Sequence, residues 1–116
     1  MNITIFHNPR WGKSRESVKI LQKECNSFKI IEYLKESINE NTIKNILNIL
    51  NINAIDLIRK NEKQFKELNL SENELKNTQL LIDSIIKYPK IMQRPIILNK
   101  KKGVIGRPPE NIYNIL

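Results

Sequence analysis

Cysteine and histidine are nearly absent from this sequence, which has one of each in 116 residues. A single cysteine excludes an internal disulfide framework and a zinc site built from cysteines. One histidine leaves little for a histidine-based site, so we expect no bound metal. No apolar run approaches the roughly 18 residues of a membrane span, and the N-terminus has no basic segment typical of a signal peptide. We therefore expect a cytoplasmic protein with no membrane segment.

Acidic residues are also scarce, at 12 against 20 basic ones, and the net charge is +8. Such an excess can indicate an acidic partner such as nucleic acid. Ile, Asn and Lys, which have AT-rich codons, make up 52 of the 116 residues, and Ala occurs once. The basic residues are spread along the chain, with one dense run at 100–102. Biased base composition therefore explains the charge, and we do not expect nucleic-acid binding.

The first third of the sequence predicts a βαβ unit. Residues 2–7 alternate in the manner of a strand, and Asn8-Pro9 ends it. From Gly12 to about Asn26 the apolar spacing is helical. Residues 28–33 read as a second strand, which a helical crossover makes parallel to the first.

The middle of the chain is predicted to be helical and the end to return to strands. One helix begins at Asn41 or Thr42, and a short helix spans 54–60. Ser71 and Glu74 match a capping box. The remaining predictions are a helix over 77–88 with Leu81, Ile82, Ile85 and Ile86 on its inner face, strands over 95–98 and 103–107 around a turn at 100–103, and a last short helix through Ile115. The length of the chain favours one domain.

The densest polar segment is His7-Asn8-Pro9-Arg10-Trp11-Gly12-Lys13-Ser14-Arg15. It lies at the carboxyl end of the first strand, where ligands usually bind in a parallel α/β layout. The N-terminus of the following helix presents free N–H groups and attracts anions. Lys13, Ser14 and Arg15 add donors there. By itself the segment also fits an ordinary solvated turn.

Arginine is rarer than lysine and its positions are informative. The five arginines are Arg10, Arg15, Arg59, Arg94 and Arg107. Arg59 ends the predicted short helix, Arg94 precedes Pro95 and the third strand, and Arg107 ends the fourth strand before Pro108. The planar guanidinium binds oxyanions with two parallel N–H groups, which lysine cannot do. Taken singly, each also fits a surface cation.

With these residues in view, the sequence resembles the glutaredoxin-coupled arsenate reductases over nearly its whole length. Four segments match in order and at the family's spacing: His7-Asn8-Pro9-Arg10-x-Gly12-Lys13-Ser14-Arg15, Leu57-Ile58-Arg59-Lys60-Asn61, Gln93-Arg94-Pro95-Ile96-Ile97 and Gly106-Arg107-Pro108. The resemblance implies an α/β, thioredoxin-like fold with a four-stranded mixed sheet. It implies one domain over 1–116, with a helical insertion at about 36–90 between the second and third strands.

The resemblance also implies a site. Arg59, Arg94 and Arg107 would converge on the helix N-terminus and, with Gly12, Lys13 and Ser14, hold an oxyanion such as arsenate, phosphate or sulfate. His7 would belong to the same site, although a histidine satisfied by backbone at a strand end fits the sequence equally well. Pro95 would follow a cis peptide bond.

The sequence departs from the family at the catalytic position. The family has a nucleophilic cysteine where this chain has Trp11. In the family the thiolate attacks arsenate, glutathione displaces the adduct and glutaredoxin regenerates the enzyme, so glutathione and glutaredoxin would be co-substrates if the chain were active; we expect no bound cofactor. An indole has no ionisable thiol. It would either fill the anion pocket or form its wall, or serve as a contact anchor for a partner.

No other residue replaces that thiol in sequence. Cys25 shares a helix face with Val18 and Leu21, which favours a buried apolar role. On one straight helix it would lie about 21 Å from Trp11. Ser14 has no evident base other than His7, and a hydroxyl cannot donate two electrons through a disulfide.

Three functions stay open on the sequence. The favoured one is a pseudoenzyme that does not reduce arsenate. It would bind an anion or a protein partner, for which glutaredoxin is a candidate. The second is an active oxidoreductase of the arsenate reductase type by another route. The third is a transcription-regulatory protein similar to the Spx-type regulators, although Trp11-Gly12-Lys13-Ser14 lacks their Cys-x-x-Cys switch. With no clear exposed apolar patch in the sequence, we expect a monomer.

Overall fold

Four strands form one mixed sheet in the computed structural model of the protein, which describes residues 2–116. The strands are β1 (Ile3–Phe6), β2 (Lys29–Ile31), β3 (Ile96–Asn99) and β4 (Lys102–Ile105), in the order β2-β1-β3-β4. β1 is parallel to β2 and antiparallel to β3, and β3 is antiparallel to β4. The predicted α/β class with a four-stranded mixed sheet is confirmed.

Four α-helices and four 3-10 segments complete the described chain. The helices are α1 (Gly12–Glu24), α2 (Glu40–Leu50), α3 (Lys63–Glu67) and α4 (Thr78–Lys87). The 3-10 segments are Ala54–Leu57, Glu74–Lys76, Pro89–Ile91 and Pro109–Asn114. Within residues 2–116 no helix has both the length and the apolar character needed to cross a membrane.

The chain divides into two compact units. The first contains the sheet, α1 and the last 3-10 segment, from residues 2–36 together with 94–116. The regular elements of the second, Ser37–Gln93, are all helical apart from one isolated bridge. They lie between the second and third strands, and the bounds of about 36–90 for the insertion stay a prediction. The single domain over 1–116 stays a prediction.

One apolar cluster stabilises the first unit. It is formed by the inward side chains of β1 and β3, the buried face of α1 and the last 3-10 segment: Ile3, Ile5, Leu21, Cys25, Ile97, Ile112 and Ile115. Val18 packs against it, as the helical spacing predicts. Burying a side chain of this size contributes roughly 1.5–3 kcal/mol, so the cluster fixes α1 on the sheet and with it the direction of the helix N-terminus.

In the second unit α2 packs against α4. Leu81, Ile82 and Ile85 are buried as predicted, but Ile86 is 38% exposed. The prediction for Ile86 is wrong because each helical residue advances about 100°, which places Ile86 about 40° beyond Ile82. That position lies at the margin of the apolar stripe.

Two helix starts differ in their caps. The cap of α2 is Asn39 rather than the predicted Asn41 or Thr42, because the side chain of Asn39 accepts a hydrogen bond from the backbone of Thr42 at 2.8 Å. The Ser71–Glu74 capping box is present, with reciprocal hydrogen bonds of 3.0 and 3.2 Å. This capping box starts only the 3-10 segment Glu74–Lys76. The helix α4 begins after it and is capped by the side chain of Asn77.

The short helix predicted over 54–60 ends at Leu57. Ile58 pairs with Met92 in an antiparallel bridge, and the backbone N–H of Arg59 donates to Ile91 at 2.7 Å. Arg59 therefore follows an extended segment, which corrects its predicted place at a helix end. Pairing between distant segments outweighed a weak local helical pattern.

The hairpin turn between β3 and β4 is also shorter than predicted. It consists of Lys100 and Lys101, with Lys100 in the left-handed region at φ 57°. Gly103 lies inside β4, opposite Leu98. Two-residue turns of this kind match the twist of the strands they join, so β4 starts one residue earlier and ends at Ile105.

We predict that Gly106→Ala destabilises the protein. A Cβ at this buried position would lie 2.8 Å from Cγ of Pro95, 2.9 Å from Oγ of Ser17 and 3.0 Å from Cδ1 of Ile97. Overpacking of this kind costs about 1–3 kcal/mol, measured as the free energy of unfolding in urea. Gly12→Ala is the matched control, since its Cβ would meet only Arg15 at 3.8 Å. Equal stability of the two variants would contradict the prediction.

Candidate functional site

The pairing of the strands brings three chain segments to one end of the sheet. Phe6 at the carboxyl end of β1 lies opposite Ile96 at the start of β3, and Ile96 lies opposite Ile105 at the end of β4. The residues just beyond these strands therefore meet at that end. They are the 7–15 segment, Arg94-Pro95 and Arg107. Most of the residues predicted for the site are thus neighbours because of the sheet register.

Asn8 shapes the turn between β1 and α1. It is buried, its side-chain oxygen accepts from the backbone of Arg10 at 3.1 Å, and its carbonyl accepts from the backbone of Trp11, also at 3.1 Å. This is the local hydrogen bonding that makes asparagine common in turns. The turn places Trp11 at the N-cap of α1.

His7 and Ser14 form a buried pair beneath this turn. Nδ1 of His7 lies 2.6 Å from Oγ of Ser14, and the same hydroxyl accepts from the backbone of Asn8 at 3.0 Å. The backbone N–H of His7 donates to Ile31 of β2 at 2.8 Å. His7 therefore makes hydrogen bonds through its backbone as well as its side chain. The two roles considered from the sequence, a member of the site and a histidine satisfied by backbone at a strand end, are therefore compatible.

The environment of His7 favours its neutral form. Burial lowers the pKa of this imidazole from its ordinary value of 6.5. The charge of Glu32 acts in the opposite direction and that of Arg15 adds to the lowering, but desolvation is the largest cause. In the neutral tautomer that is protonated at Nε2, Nδ1 accepts the hydroxyl proton of Ser14.

The first turn of α1 is electropositive. Its residues include Lys13 and no acidic residue, and Trp11 supplies no side-chain cap. Helix N-termini ordinarily attract acidic side chains, because their N–H groups carry a partial positive charge. Arg15, which follows, donates through its guanidinium to the carbonyl of Pro9 at 3.1 Å. The arrangement is suited to an external anion.

Trp11 and Arg94 are stacked. The guanidinium carbon of Arg94 lies 3.5 Å from the centre of the indole, which is a close cation–π contact. Arg94 is only 4% exposed, whereas Trp11 is 42% exposed. Trp11 therefore covers one of the arginines predicted to hold the anion.

Arg94 and Arg107 stand on either side of the β3–β4 hairpin, and each precedes a cis proline. The Arg94–Pro95 bond is cis, the isomer that the resemblance implies, and so is Arg107–Pro108. The backbone N–H of Gly106 donates to the carbonyl of Pro95 at 2.8 Å. A backbone hydrogen bond therefore joins the two segments that carry Arg94 and Arg107. The side chain of Arg107 is exposed.

Arg59 belongs to the second unit. There its guanidinium lies 3.5 Å from the carboxylate of Glu62. Its convergence with Arg94 and Arg107 stays a prediction from the resemblance. Gly12 and Lys13, by contrast, lie in the first turn of α1 as expected, and their role in binding an anion is proposed below.

Cys25 is buried at the opposite end of α1, where its backbone N–H closes the helix on Leu21. Burial raises the pKa of its thiol, and the charge of Glu24 adds to that effect. The buried apolar role expected for Cys25 is confirmed. A protonated, covered thiol is a poor nucleophile.

Two residues that support the site were not predicted to do so. Asn8 was predicted only as part of the turn after the first strand, where Asn-Pro is a turn signal. Asn111 could not have been identified, since its contacts depend on the loop that carries Arg107 folding back to it. Its side-chain amide donates to the carbonyls of Ile105 and Arg107 at 3.1 and 3.2 Å and so fixes the loop that carries Arg107.

A mixed sheet in the order β2-β1-β3-β4, with a helix starting at the carboxyl end of β1, is the arrangement of the thioredoxin-like class. A model of the ArsC family matches residues 6–115. The chain belongs to this family, the arsenate reductase family.

Relatives match along almost the whole chain. It is 37% identical to the uncharacterized protein YfgD of Escherichia coli, over 98% of this chain and 96% of that protein. It is 36% identical to an arsenate reductase of Neisseria meningitidis, over 98% of this chain and 97% of that protein. The solved arsenate reductase from Vibrio cholerae superposes with a TM-score of 0.93 at 32% identity, covering 100% of this chain and 98% of that one.

The lowered pKa of His7 predicts that stability falls below about pH 6.5. The unfolded chain binds a proton near 6.5 while the folded protein resists it, so the free energy of unfolding falls as the pH drops from 6.5 toward the folded-state pKa. Because this is the only histidine, proton NMR of its imidazole gives the folded pKa directly, and we expect a value below 6.5.

The matched variant is His7→Asn, whose side-chain oxygen replaces Nδ1 as the acceptor for Ser14 but does not titrate. Urea unfolding at pH 7 and pH 5 should show a smaller loss of stability in the variant than in the natural protein. A folded-state pKa at or above 6.5 would contradict the prediction.

Proposed function

We propose that this protein is an oxyanion-binding member of the arsenate reductase family that does not reduce arsenate by the thiol route. The observation that carries the proposal is Trp11 at the N-cap of α1, stacked at 3.5 Å on Arg94. An indole offers no sulfur to attack an oxyanion or to form a disulfide. The ligand class is tetrahedral oxyanions such as arsenate, phosphate and sulfate.

The binding half of the proposal rests on the charge at the end of the sheet. The first turn of α1 has no side-chain cap at Trp11 and contains Lys13, and Arg94 and Arg107 lie in segments that flank β3 and β4 at the same end of the sheet. Charge-assisted hydrogen bonds from such groups contribute about 1.5–3 kcal/mol each. Gly12 starts α1, and a Cβ there would meet only the guanidinium of Arg15 at 3.8 Å. Ser14 is fully buried, so its contribution would come from its backbone N–H.

The lack of a replacement thiol supports the second half. Cys25 lies at the far end of a 13-residue helix, about 20 Å from the site at 1.5 Å per residue. Its thiol is covered and its pKa is raised. Reduction of arsenate consumes two electrons. In the family these electrons come from glutathione and glutaredoxin and pass through sulfur. Neither His7 nor Ser14 can supply them.

We predict that arsenate reduction appears in the Trp11→Cys variant and not in the natural protein. The helix N-terminus and its cations lower the pKa of a thiol placed there. The measurement is arsenate-dependent NADPH oxidation with glutathione, glutaredoxin and glutathione reductase present. Trp11→Ser is the matched control, since it has the same small size without sulfur. Turnover by the natural protein would show that another group supplies the electrons and would overturn the proposal.

We also predict that Arg107→Ala weakens anion binding roughly tenfold or more, the loss expected for one charge-assisted contact. The measurement is isothermal titration calorimetry with arsenate, phosphate and sulfate in an oxyanion-free buffer. Lys101→Ala removes an exposed cation from the β3–β4 turn and serves as the control of net charge. If both variants weaken binding equally, the effect is general electrostatics and the site is not built on Arg107.

A further inference from the structure

The side chain of Arg15 is folded back onto the turn between β1 and α1. Its Nη1 donates to the carbonyl of Pro9 at 3.1 Å. Its Nη2 lies beside Gly12, at 3.8 Å from the place that a Cβ of Gly12 would occupy. The guanidinium therefore lies next to the first residue of α1. Arg15 is not among the oxyanion-binding residues that the resemblance implies.

The charge of Arg15 also reaches the buried pair beneath the turn. Burial is the largest cause of the lowered pKa of His7, and the charge of Arg15 adds to the lowering. A charge acts in this way only on a group that lies near it. Because His7 is hydrogen-bonded to Ser14 in the first turn of α1, the guanidinium and the helix N-terminus act on the same small region.

The positive charge of Arg15 is not neutralised by a carboxylate. None of the ion pairs within residues 2–116 includes Arg15, whereas the guanidinium of Arg59 lies 3.5 Å from Glu62. The side chain of Arg15 is exposed. Its hydrogen bond to Pro9 uses one N–H group and leaves others of the guanidinium for a ligand that arrives from solvent.

We propose that Arg15 is a ligand of the oxyanion in the candidate site. This rests on the proposed function and adds one residue to the expected set. The carbonyl of Pro9 holds the guanidinium beside Gly12 before an anion arrives, so binding costs less side-chain entropy than it would with a disordered arginine. An anion at the start of α1 accepts hydrogen bonds from the helix N–H groups and from this guanidinium together.

The planar group gives Arg15 a part in selecting the anion. Parallel N–H groups of a guanidinium match two oxygens of one tetrahedral oxyanion, whereas the ammonium of lysine acts as a point charge. Chloride has no paired oxygens to match. We therefore expect Arg15→Lys to retain the attraction for anions and to lose part of the preference for sulfate over chloride.

The first test measures sulfate affinity by calorimetry in an oxyanion-free buffer. Arg15→Gln should weaken sulfate binding roughly tenfold or more, the loss expected for one charge-assisted contact, and Arg15→Lys should weaken it less. Glutamine keeps an N–H donor for the carbonyl of Pro9. Arg10→Gln is the matched control, since it removes the same charge from an exposed arginine of the same turn. It should bind sulfate nearly as the natural protein does.

The outcomes separate this assignment from the proposed function. If the natural protein binds sulfate and Arg15→Gln binds it as tightly as Arg10→Gln does, Arg15 is not a ligand, while the oxyanion site itself stands. If the natural protein binds none of sulfate, phosphate and arsenate, both the site and the assignment of Arg15 are overturned.

The second test uses His7 as a reporter in the natural protein. It is the only histidine, so proton NMR of its imidazole gives its pKa directly. Sulfate, which does not titrate in the range of histidine, should offset the charge of Arg15 and raise the pKa of His7. Sodium chloride at equal ionic strength should raise it less. In Arg15→Gln the pKa should be higher without sulfate and respond less to it. A pKa of His7 that saturating sulfate leaves unchanged in the natural protein would overturn the assignment.

Discussion

The central place of β1 in the sheet determines where every group of the first unit's candidate site lies. Because β1 pairs with β2 on one side and β3 on the other, its carboxyl end faces the start of β3, and through β3 the end of β4. Arg94 and Arg107 are placed by this register rather than by local structure. The apolar cluster under α1 then fixes the helix axis. The positive end of the helix and the arginine segments therefore meet at this end of the sheet.

At that meeting point Arg94 is buried, and the indole of Trp11 contributes to the compensation of its charge. A buried guanidinium needs compensation, since desolvating a charge is costly. A carboxylate would supply it but would also cancel the positive potential that draws an anion to α1. An aromatic face compensates Arg94 without a formal charge. The first turn of α1 can thus remain free of acidic residues, and Glu32, which acts on His7, follows β2 rather than lying on the helix.

The sequence predicts the elements whose signals are local and the site only in part. Alternation in β1, the Asn8-Pro9 break and the apolar spacing of α1 were sufficient for the βαβ unit, because each depends on neighbouring residues. The place of Arg59 was misjudged, since the Ile58–Met92 bridge joins segments far apart in the chain. The contact between Trp11 and Arg94 is equally non-local. No pattern in the sequence distinguishes an indole that fills the pocket from one that covers an arginine.

Binding an oxyanion and reducing it make different demands on the same surroundings. A reactive thiolate needs a helix N-terminus, nearby cations and a neutral hydrogen-bonded neighbour, because all three favour negative charge at one point. A tetrahedral anion is stabilised at that point by the same groups. In this protein the His7–Ser14 pair and an α1 first turn without a side-chain cap are both present. Under the proposed function, recognition of the anion is therefore separable from redox chemistry, and Trp11, which stacks on Arg94, takes part only in the first.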